Sequence, residues 1–250
     1  MTKRPPVFPV VAALLAGVAT TVLAATERTE CHDEQAVARA AAARIEREWP
    51  LRSSDPVTEF VRRVGRRLAE HAPDSPYPWT FMVVRDRSAN AFAIGAGAIY
   101  VHDGTLAVAR NEAEVAAVLA HEMGHQLAGH FCVGRQEDAG WLGWLAGLVG
   151  GGAPAERGVG SMRQTVDPER EREADLRSIP ILEAAGFDPR ASLDIARRVA
   201  CDGLDERRRT DELARLLRDV APAGAPDLDR HAFEVARRQV LSEAANRRGS

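Results

Sequence analysis

The sequence predicts an α+β fold that is mostly helical and contains one small β-sheet. Apolar residues recur at helical spacing over most of the chain, whereas strand-like segments are confined to two neighbouring stretches. Trp79 to Val84 is rich in aromatic and β-branched residues, and Ala98 to Val101 forms a second short apolar run. Many helices combined with a few clustered strands are typical of this fold class.

Length and composition predict an ordinary globular protein and exclude one class of partner. The chain has 250 residues, 45% of them apolar and 28% charged, which suffices for one domain with a sizeable core. Its formal net charge of -3 gives no basic excess, so we expect no nucleic-acid partner. The sequence does not indicate an oligomeric state.

The first 25 residues have the pattern of a segment that directs export. Lys3 and Arg4 precede an almost wholly apolar stretch from Val7 to Ala24, which ends in the small residues that a signal peptidase selects. We expect cleavage near Ala24 or Ala25. Since about 18 apolar residues also approach the length of a membrane span, an uncleaved anchor is the alternative. Either outcome predicts that the bulk of the chain is exported: it is periplasmic or secreted after cleavage, or membrane-anchored if the segment is kept.

Cysteine usage gives no evidence of a cysteine-based metal site. Cys31, Cys132 and Cys201 are few for an exported chain of this size, and no two of them have CxxC spacing. One disulfide with a leftover thiol would be compatible with this number, and the sequence leaves the pairing open. Isolated small residues are the simpler interpretation.

The most informative helix begins after Asn111 and carries the motif HExxH. Asn111 is a suitable N-cap with Glu114 three residues later, and Val115, Leu119 and Met123 recur at helical spacing. Farther along the same predicted helix stands His121-Glu122-Met123-Gly124-His125. We therefore expect this motif on a well-capped helix that has an apolar face.

The spacing of this motif suits metal-assisted hydrolysis. Residues four apart lie on one face of a helix, so His121 and His125 can present imidazole nitrogens to one zinc ion. Glu122 lies beside them, where its carboxylate can accept a proton from a water molecule that zinc activates and pass it to the leaving amine. The competing interpretation is a helix with two surface histidines that are unrelated to any metal.

A third ligand is expected downstream, in the run from Glu171 to Asp175. Glu171 and Asp175 would share one helix face, so Glu171 could complete a set of two histidines and a glutamate, and Asp175 could hydrogen-bond a ligand histidine. Glu173 would point elsewhere. Taken alone, such a charged run is more typical of a solvated helix face.

Several motifs in order resemble the HtpX/BepA-type gluzincin peptidases, the family that also includes the CAAX prenyl endopeptidases. The resemblance covers roughly residues 55–240, so we place a metallopeptidase domain at 55–250, after a helical segment at 26–54. Five segments carry it: Asn90-Ala91-Phe92-Ala93, Asn111-Glu112-Ala113-Glu114, Val118 to His125, Glu171 to Asp175, and Ala185 to Pro189.

The resemblance implies roles for individual residues. His121, His125 and Glu171 would bind one zinc ion, Glu122 would be the general base, and Asp175 would support a ligand. His231 would be a possible latency switch that occupies the metal, although Ala232 replaces the family's proline after it. A substrate would add as an extended strand along the edge formed by Ala98, Ile99, Tyr100 and Val101.

These observations predict a zinc-dependent metalloendopeptidase of the gluzincin type that acts in cell-envelope protein quality control. Its substrates would be misfolded or unassembled envelope proteins, an expectation that rests on the resemblance. The alternative is a chaperone-like zinc-binding protein of the envelope that cleaves little. Trp141 and Trp144 lie in an apolar segment that is either buried or in contact with a membrane surface or substrate.

Overall fold

The computed structural model describes residues 32–72, 75–131, 167–199, 204–220 and 227–246, and these parts confirm the mostly helical α+β fold. Cys31, Cys132, Cys201, Trp141 and Trp144, together with the predicted export segment, lie outside the described residues. The helices are α1 His32–Glu48, α2 Pro56–Ala69, α3 Asp103–Val108, α4 Glu112–Leu127, α5 Pro168–Ala184, α6 Ala191–Val199, α7 Leu204–Leu216 and α8 Arg230–Asn246, and the strands are β1 Thr80–Val84, β2 Ala91–Ala93 and β3 Ala98–His102.

The sheet has the order β1-β3-β2, with β1 parallel and β2 antiparallel to β3. The prediction that Ala98, Ile99, Tyr100 and Val101 form a substrate-binding edge is therefore wrong, because β3 is the central strand. The physical reason is the tight turn between β2 and β3. Residues 95–97 all have positive φ, between 49° and 88°, which folds β2 back along one side of β3 while β1 pairs with the other.

Both faces of the sheet are covered, by residues that alternate along β3. Ile99 and Val101 pack into the main core with α2 and α4, whereas Tyr100 faces α1 and packs against Ala41 and Ile45. Strand residues alternate between faces, so the apolar run from Ala98 to Val101 in β3 is continuous because the strand is covered on both sides. The sheet thus lies between α1 and the remaining helices.

The predicted face of α2 is confirmed. Asp55 caps the helix by accepting a hydrogen bond from the Thr58 N–H at 2.8 Å, and Pro56 occupies the first helical position, where no N–H is needed. The apolar face then packs against β1, α4 and α8. The predicted residues on this face are all buried: Val57, Phe60, Val61, Val64 and Leu68.

The helix that carries the HExxH motif begins and packs as its sequence predicts. The Asn111 side chain accepts a hydrogen bond from the Glu114 N–H at 2.9 Å, and the Glu114 carboxylate accepts one from the Arg110 N–H at 2.7 Å. Val115 and Met123 are fully buried. With its start fixed and its apolar face in the core, α4 is a rigid support for the motif.

Close contact between α4 and α5 brings the two halves of the site together. A side chain at Gly124 would place its Cβ only 2.3 Å from the Ala174 carbonyl oxygen, so α5 can approach α4 only because residue 124 is glycine. Helix α5 runs continuously from Pro168 to Ala184, and Pro180 lies inside it without ending it. This approach sets the distance between Glu171 and the histidines of α4.

Candidate metal centre

Three side chains from α4 and α5 converge on one point. The Nε2 atoms of His121 and His125 are 3.0 Å apart, and the Glu171 carboxylate lies 3.2 Å from the first and 3.3 Å from the second. Donor atoms bound tetrahedrally to one zinc ion at its usual bond lengths are separated by roughly 3.3 Å. The three residues therefore fit zinc in chemistry and in spacing, and among the described residues they form the one such group of three.

Glu122 follows His121 on α4, and its side chain contacts the sheet. Its Oε2 accepts a hydrogen bond from the backbone N–H of Ala93 at 3.0 Å. Ala93 belongs to β2, which has a described neighbour on one side only, and pairs with Ile99 of β3. The carboxylate is thus held at the free side of the sheet.

Asp175 supports His121 from the side opposite the metal-binding atom. Its Oδ1 lies 2.9 Å from Nδ1 of His121, which leaves Nε2 facing His125 and Glu171. Burial and the positive charge of Arg209 lower the pKa of His121, but the carboxylates of Glu171 and Asp175 outweigh both and raise it to about 9. The surroundings of His121 therefore attract a cation, as a metal site requires.

His125 has a different support, in which a second imidazole takes part. Its Nδ1 lies 2.8 Å from Nδ1 of His130, whose Nε2 lies 2.9 Å from Oε2 of Glu173. Burial lowers the pKa of His130, although the hydrogen bond with Glu173 opposes this, and the net shift favours the neutral imidazole. Glu173 does point away from Glu171 and Asp175 on α5, but it reaches the site through His130.

Arg209 is a site residue that the sequence interpretation missed. Its Nη2 lies 3.2 Å from Nε2 of His121, and its Nε forms an ion-pair contact of 3.0 Å with Oε2 of Glu171. Burial raises the pKa of Glu171, but Arg209 and His121 hold it well below the usual value. Within Arg207-Arg208-Arg209 no local signal marks which arginine turns inward. A cleft of about 380 Å³ between α5 and α7 is lined by Glu171, Asp175 and Arg209 among other residues.

His231 lies on the first turn of α8 and is exposed. The backbone N–H groups of Leu228 and Asp229, just before it, donate to the Glu112 carboxylate at 2.8 and 2.6 Å. Glu112 begins α4, and the nine residues from there to His121 span roughly 13 Å of helix. The described structure thus places the segment just before α8 beside the start of α4, and the latency function of His231 stays a prediction.

The remaining predicted residues lie in the sheet. Tyr100 is fully buried on the face of the sheet that α1 covers, where it stacks on Phe92 with ring centroids 5.1 Å apart. No helix in the described parts of the chain combines the length and apolar composition that crossing a bilayer requires.

Comparison with known proteins identifies peptidases as relatives of this chain. Residues 57–243 match the model of peptidase family M48. The chain is 31% identical over 223 residues to a putative beta-barrel assembly-enhancing protease of Vibrio cholerae, a match that covers 77% of this chain and 45% of that protein. It is 27% identical over 157 residues to the beta-barrel assembly-enhancing protease of Escherichia coli, covering 57% and 32%.

A mitochondrial relative matches over a shorter stretch. The metalloendopeptidase OMA1 of Schizosaccharomyces pombe is 40% identical over 80 residues, which covers 32% of this chain and 24% of that protein. The chain thus spans less than half the length of each of these relatives. Because the family model covers nearly all of the segment from α2 to α8, including every residue of the candidate metal centre, the chain belongs to peptidase family M48.

Proposed function

We propose that this protein is a zinc-dependent metalloendopeptidase that hydrolyses peptide bonds with Glu122 as general base. The observation that carries the proposal is the convergence of His121, His125 and Glu171 with donor atoms 3.0–3.3 Å apart. A zinc ion held there supplies Lewis-acid activation of a water molecule near neutral pH. Family membership supports the same chemistry.

Three residues of the chain have the other roles in the proposed reaction. Glu122 takes the proton of the attacking water and delivers it to the leaving amine, and its place next to His121 in the motif on α4 suits that transfer. Asp175 holds the ring of His121 through Nδ1, so that the lone pair of Nε2 faces the metal position. Arg209 places a fixed positive charge next to Glu171 and His121, where it can stabilise negative charge that develops on the scissile carbonyl oxygen.

The substrate would bind along β2 rather than β3. In the ladder with β3, the Ile94 N–H donates to Ala98 and the Asn90 carbonyl accepts from His102, so even-numbered residues face inward. Ala91 and Ala93 therefore direct their backbone groups to the open side, where Ala93 already meets Glu122. An extended peptide that pairs with this edge would bring a backbone amide to the general base.

Further features support proposals about place and substrate. The N-terminal segment predicts export, and the Escherichia coli relative is named for enhancing beta-barrel assembly. We therefore propose a periplasmic or membrane-anchored enzyme that acts on unfolded or unassembled envelope proteins. Trp141 and Trp144 remain candidates for membrane-surface contact, and His231 remains a candidate latency switch.

The proposal is tested with the full chain and an unfolded substrate such as casein. Wild type, Glu122→Gln and the control Glu183→Gln, an exposed glutamate at the end of α5, are compared at equal zinc content. We expect cleavage by wild type and control and none by Glu122→Gln. Equal cleavage by all three would show that the mechanism is wrong.

A further inference from the structure

The contact between His125 and His130 depends on how the chain turns at the C-terminal end of α4. Ala128 caps the helix, Gly129 follows with φ of 71°, and the His130 N–H donates to the His125 carbonyl oxygen at 3.1 Å. This is the hydrogen bond that closes a helix with a left-handed glycine, and it folds residue 130 back over the last turn. The His130 side chain is thereby buried against the ring of His125, with ring centroids 5.0 Å apart.

The protons along this chain of side chains can be assigned from what each atom must do. Nε2 of His125 faces His121 and Glu171, so it must be free of a proton to bind a metal. The neutral ring then carries its proton on Nδ1 and donates it to Nδ1 of His130. His130 in turn carries its proton on Nε2, where the Glu173 carboxylate accepts it at 2.9 Å. Each of the two contacts thus has one donor and one acceptor.

His121 and His125 are therefore both connected by hydrogen bonds to carboxylates of α5, one directly and the other through a second imidazole. His121 contacts Asp175 directly, whereas His125 reaches Glu173 through His130. Glu173 lies two residues from Glu171 on α5, and so it faces away from the metal-binding side and needs the intervening imidazole. Its side chain is 46% exposed, while that of His130 is 3% exposed.

We propose that His130 and Glu173 are positioning residues for metal binding, which fix the proton of His125 on Nδ1 and aim the lone pair of Nε2 at the metal. This inference rests on the proposed zinc site. Partners of this kind, one contact removed from the metal, typically change metal affinity about 10–100-fold when they are removed.

The first test is the zinc dissociation constant of the full chain, measured by competition with a chromophoric chelator. His130→Ala should weaken binding by about 10–100-fold, and His130→Asn should recover most of the loss, because the Asn oxygen can accept from Nδ1 of His125. His130→Gln, whose amide mimics the other ring nitrogen, should recover less. A folded His130→Ala that binds zinc within about twofold of wild type would overturn the inference.

A second pair of variants decides the matter even if buried His130 does not tolerate alanine. Glu173→Ala removes a partly exposed side chain, and Glu183→Ala is the matched control on the same helix. We expect about tenfold weaker zinc binding for Glu173→Ala and no change for the control. Equal constants for the two would overturn the inference. Wild type that binds no zinc would instead refute the proposed function.

A third measurement reports the proton positions themselves. Long-range ¹H–¹⁵N spectra of the zinc-loaded, histidine-labelled chain distinguish the two neutral tautomers of each ring. We expect the proton of His130 on Nε2 and that of His125 on Nδ1. A proton on Nδ1 of His130 would contradict the assignment, because His130 could then no longer accept from His125.

Discussion

The candidate metal-binding cluster consists of His121, His125 and Glu171 together with their supporting residue Asp175. It can be compared with a second buried charged cluster, formed by Arg52, Asp55, Asp103 and Glu243. Arg52 is completely buried and contacts both oxygens of Asp103, at 2.6 and 2.8 Å, as well as Asp55 at 2.7 Å and Glu243 at 2.8 Å. Here a cation of the chain itself lies among the carboxylates. Burial lowers the pKa of Arg52, but these hydrogen bonds raise it overall, so the guanidinium stays charged.

In the described structure, the metal-binding cluster has no positively charged side chain at its centre that corresponds to Arg52. Its two Nε2 atoms and the Glu171 carboxylate point at one another, and Arg209 approaches them from the side. In the Arg52 cluster, opposite charges neutralise one another and join the segment before α2 to α3 and α8. In the candidate metal-binding cluster, lone pairs converge on a position that a cation from outside could occupy. A cation-binding site is therefore distinguished from a structural ion-pair network by lone pairs that converge on one point, and not by the number of buried charges.

The largest expected effect is on activity. His121→Ala removes a metal-binding atom, so zinc content should fall and peptide cleavage should drop by at least about a thousandfold. The stability of the metal-free chain should change little, because Arg209 still faces Glu171 and Asp175. Zinc analysis, cleavage assays and urea unfolding of the metal-free protein measure the three quantities. Retained zinc with full activity would refute the assignment.

Removing the centre of the other cluster should affect stability. Arg52→Met leaves Asp103, which is almost fully buried, without its cation, and this should cost about 3–5 kcal/mol of unfolding free energy. The variant that stays folded should still bind one zinc ion. Urea denaturation at neutral pH measures the loss. A change below about 1 kcal/mol would show that Arg52 is as weakly coupled as an exposed ion pair.

A smaller effect, on both properties, is expected where α4 and α5 touch. Gly124→Ala forces a Cβ against the Ala174 carbonyl, which should destabilise the fold by about 1–3 kcal/mol and weaken zinc binding by shifting Glu171. Gly65→Ala is the matched control, since its Cβ would meet the Phe81 ring at 2.4 Å, between α2 and β1. If the control lost zinc equally, the effect would come from general destabilisation.

The smallest expected effect is the dependence of the Arg52 cluster on pH. Burial raises the pKa values of Asp55 and Glu243, but hydrogen bonds from the Thr58 N–H and Arg52 to Asp55, and from Arg52 and Gln239 to Glu243, lower them overall. Groups with a lowered folded pKa stabilise the fold above their unfolded pKa, about 4, and lose that stabilisation as the pH falls through the folded value. The difference in unfolding free energy between metal-free wild type and Arg52→Met should therefore become smaller as the pH falls below about 4. A constant difference would contradict the prediction.

Short-range features of the sequence predicted much of this molecule. The cap at Asn111 and the apolar spacing of α2 and α4 require only residues within a few positions of one another, and the structure has them as expected. The pairing of His121 with His125 follows from helical spacing alone. Glu171 and Asp175 could be placed on one helix face for the same reason.

What the sequence alone determined is therefore local. It shows where helices begin, which side of each helix is apolar, and that His121, Glu122 and His125 form an HExxH motif. The tertiary structure decided which strand is the edge, that Arg209 rather than its neighbours faces Glu171, and that His130 links His125 to Glu173. These depend on how distant segments approach, through contacts such as that of Gly124 with Ala174. Such contacts form only when distant segments meet in the folded chain, so they cannot be read from the spacing of residues along the sequence.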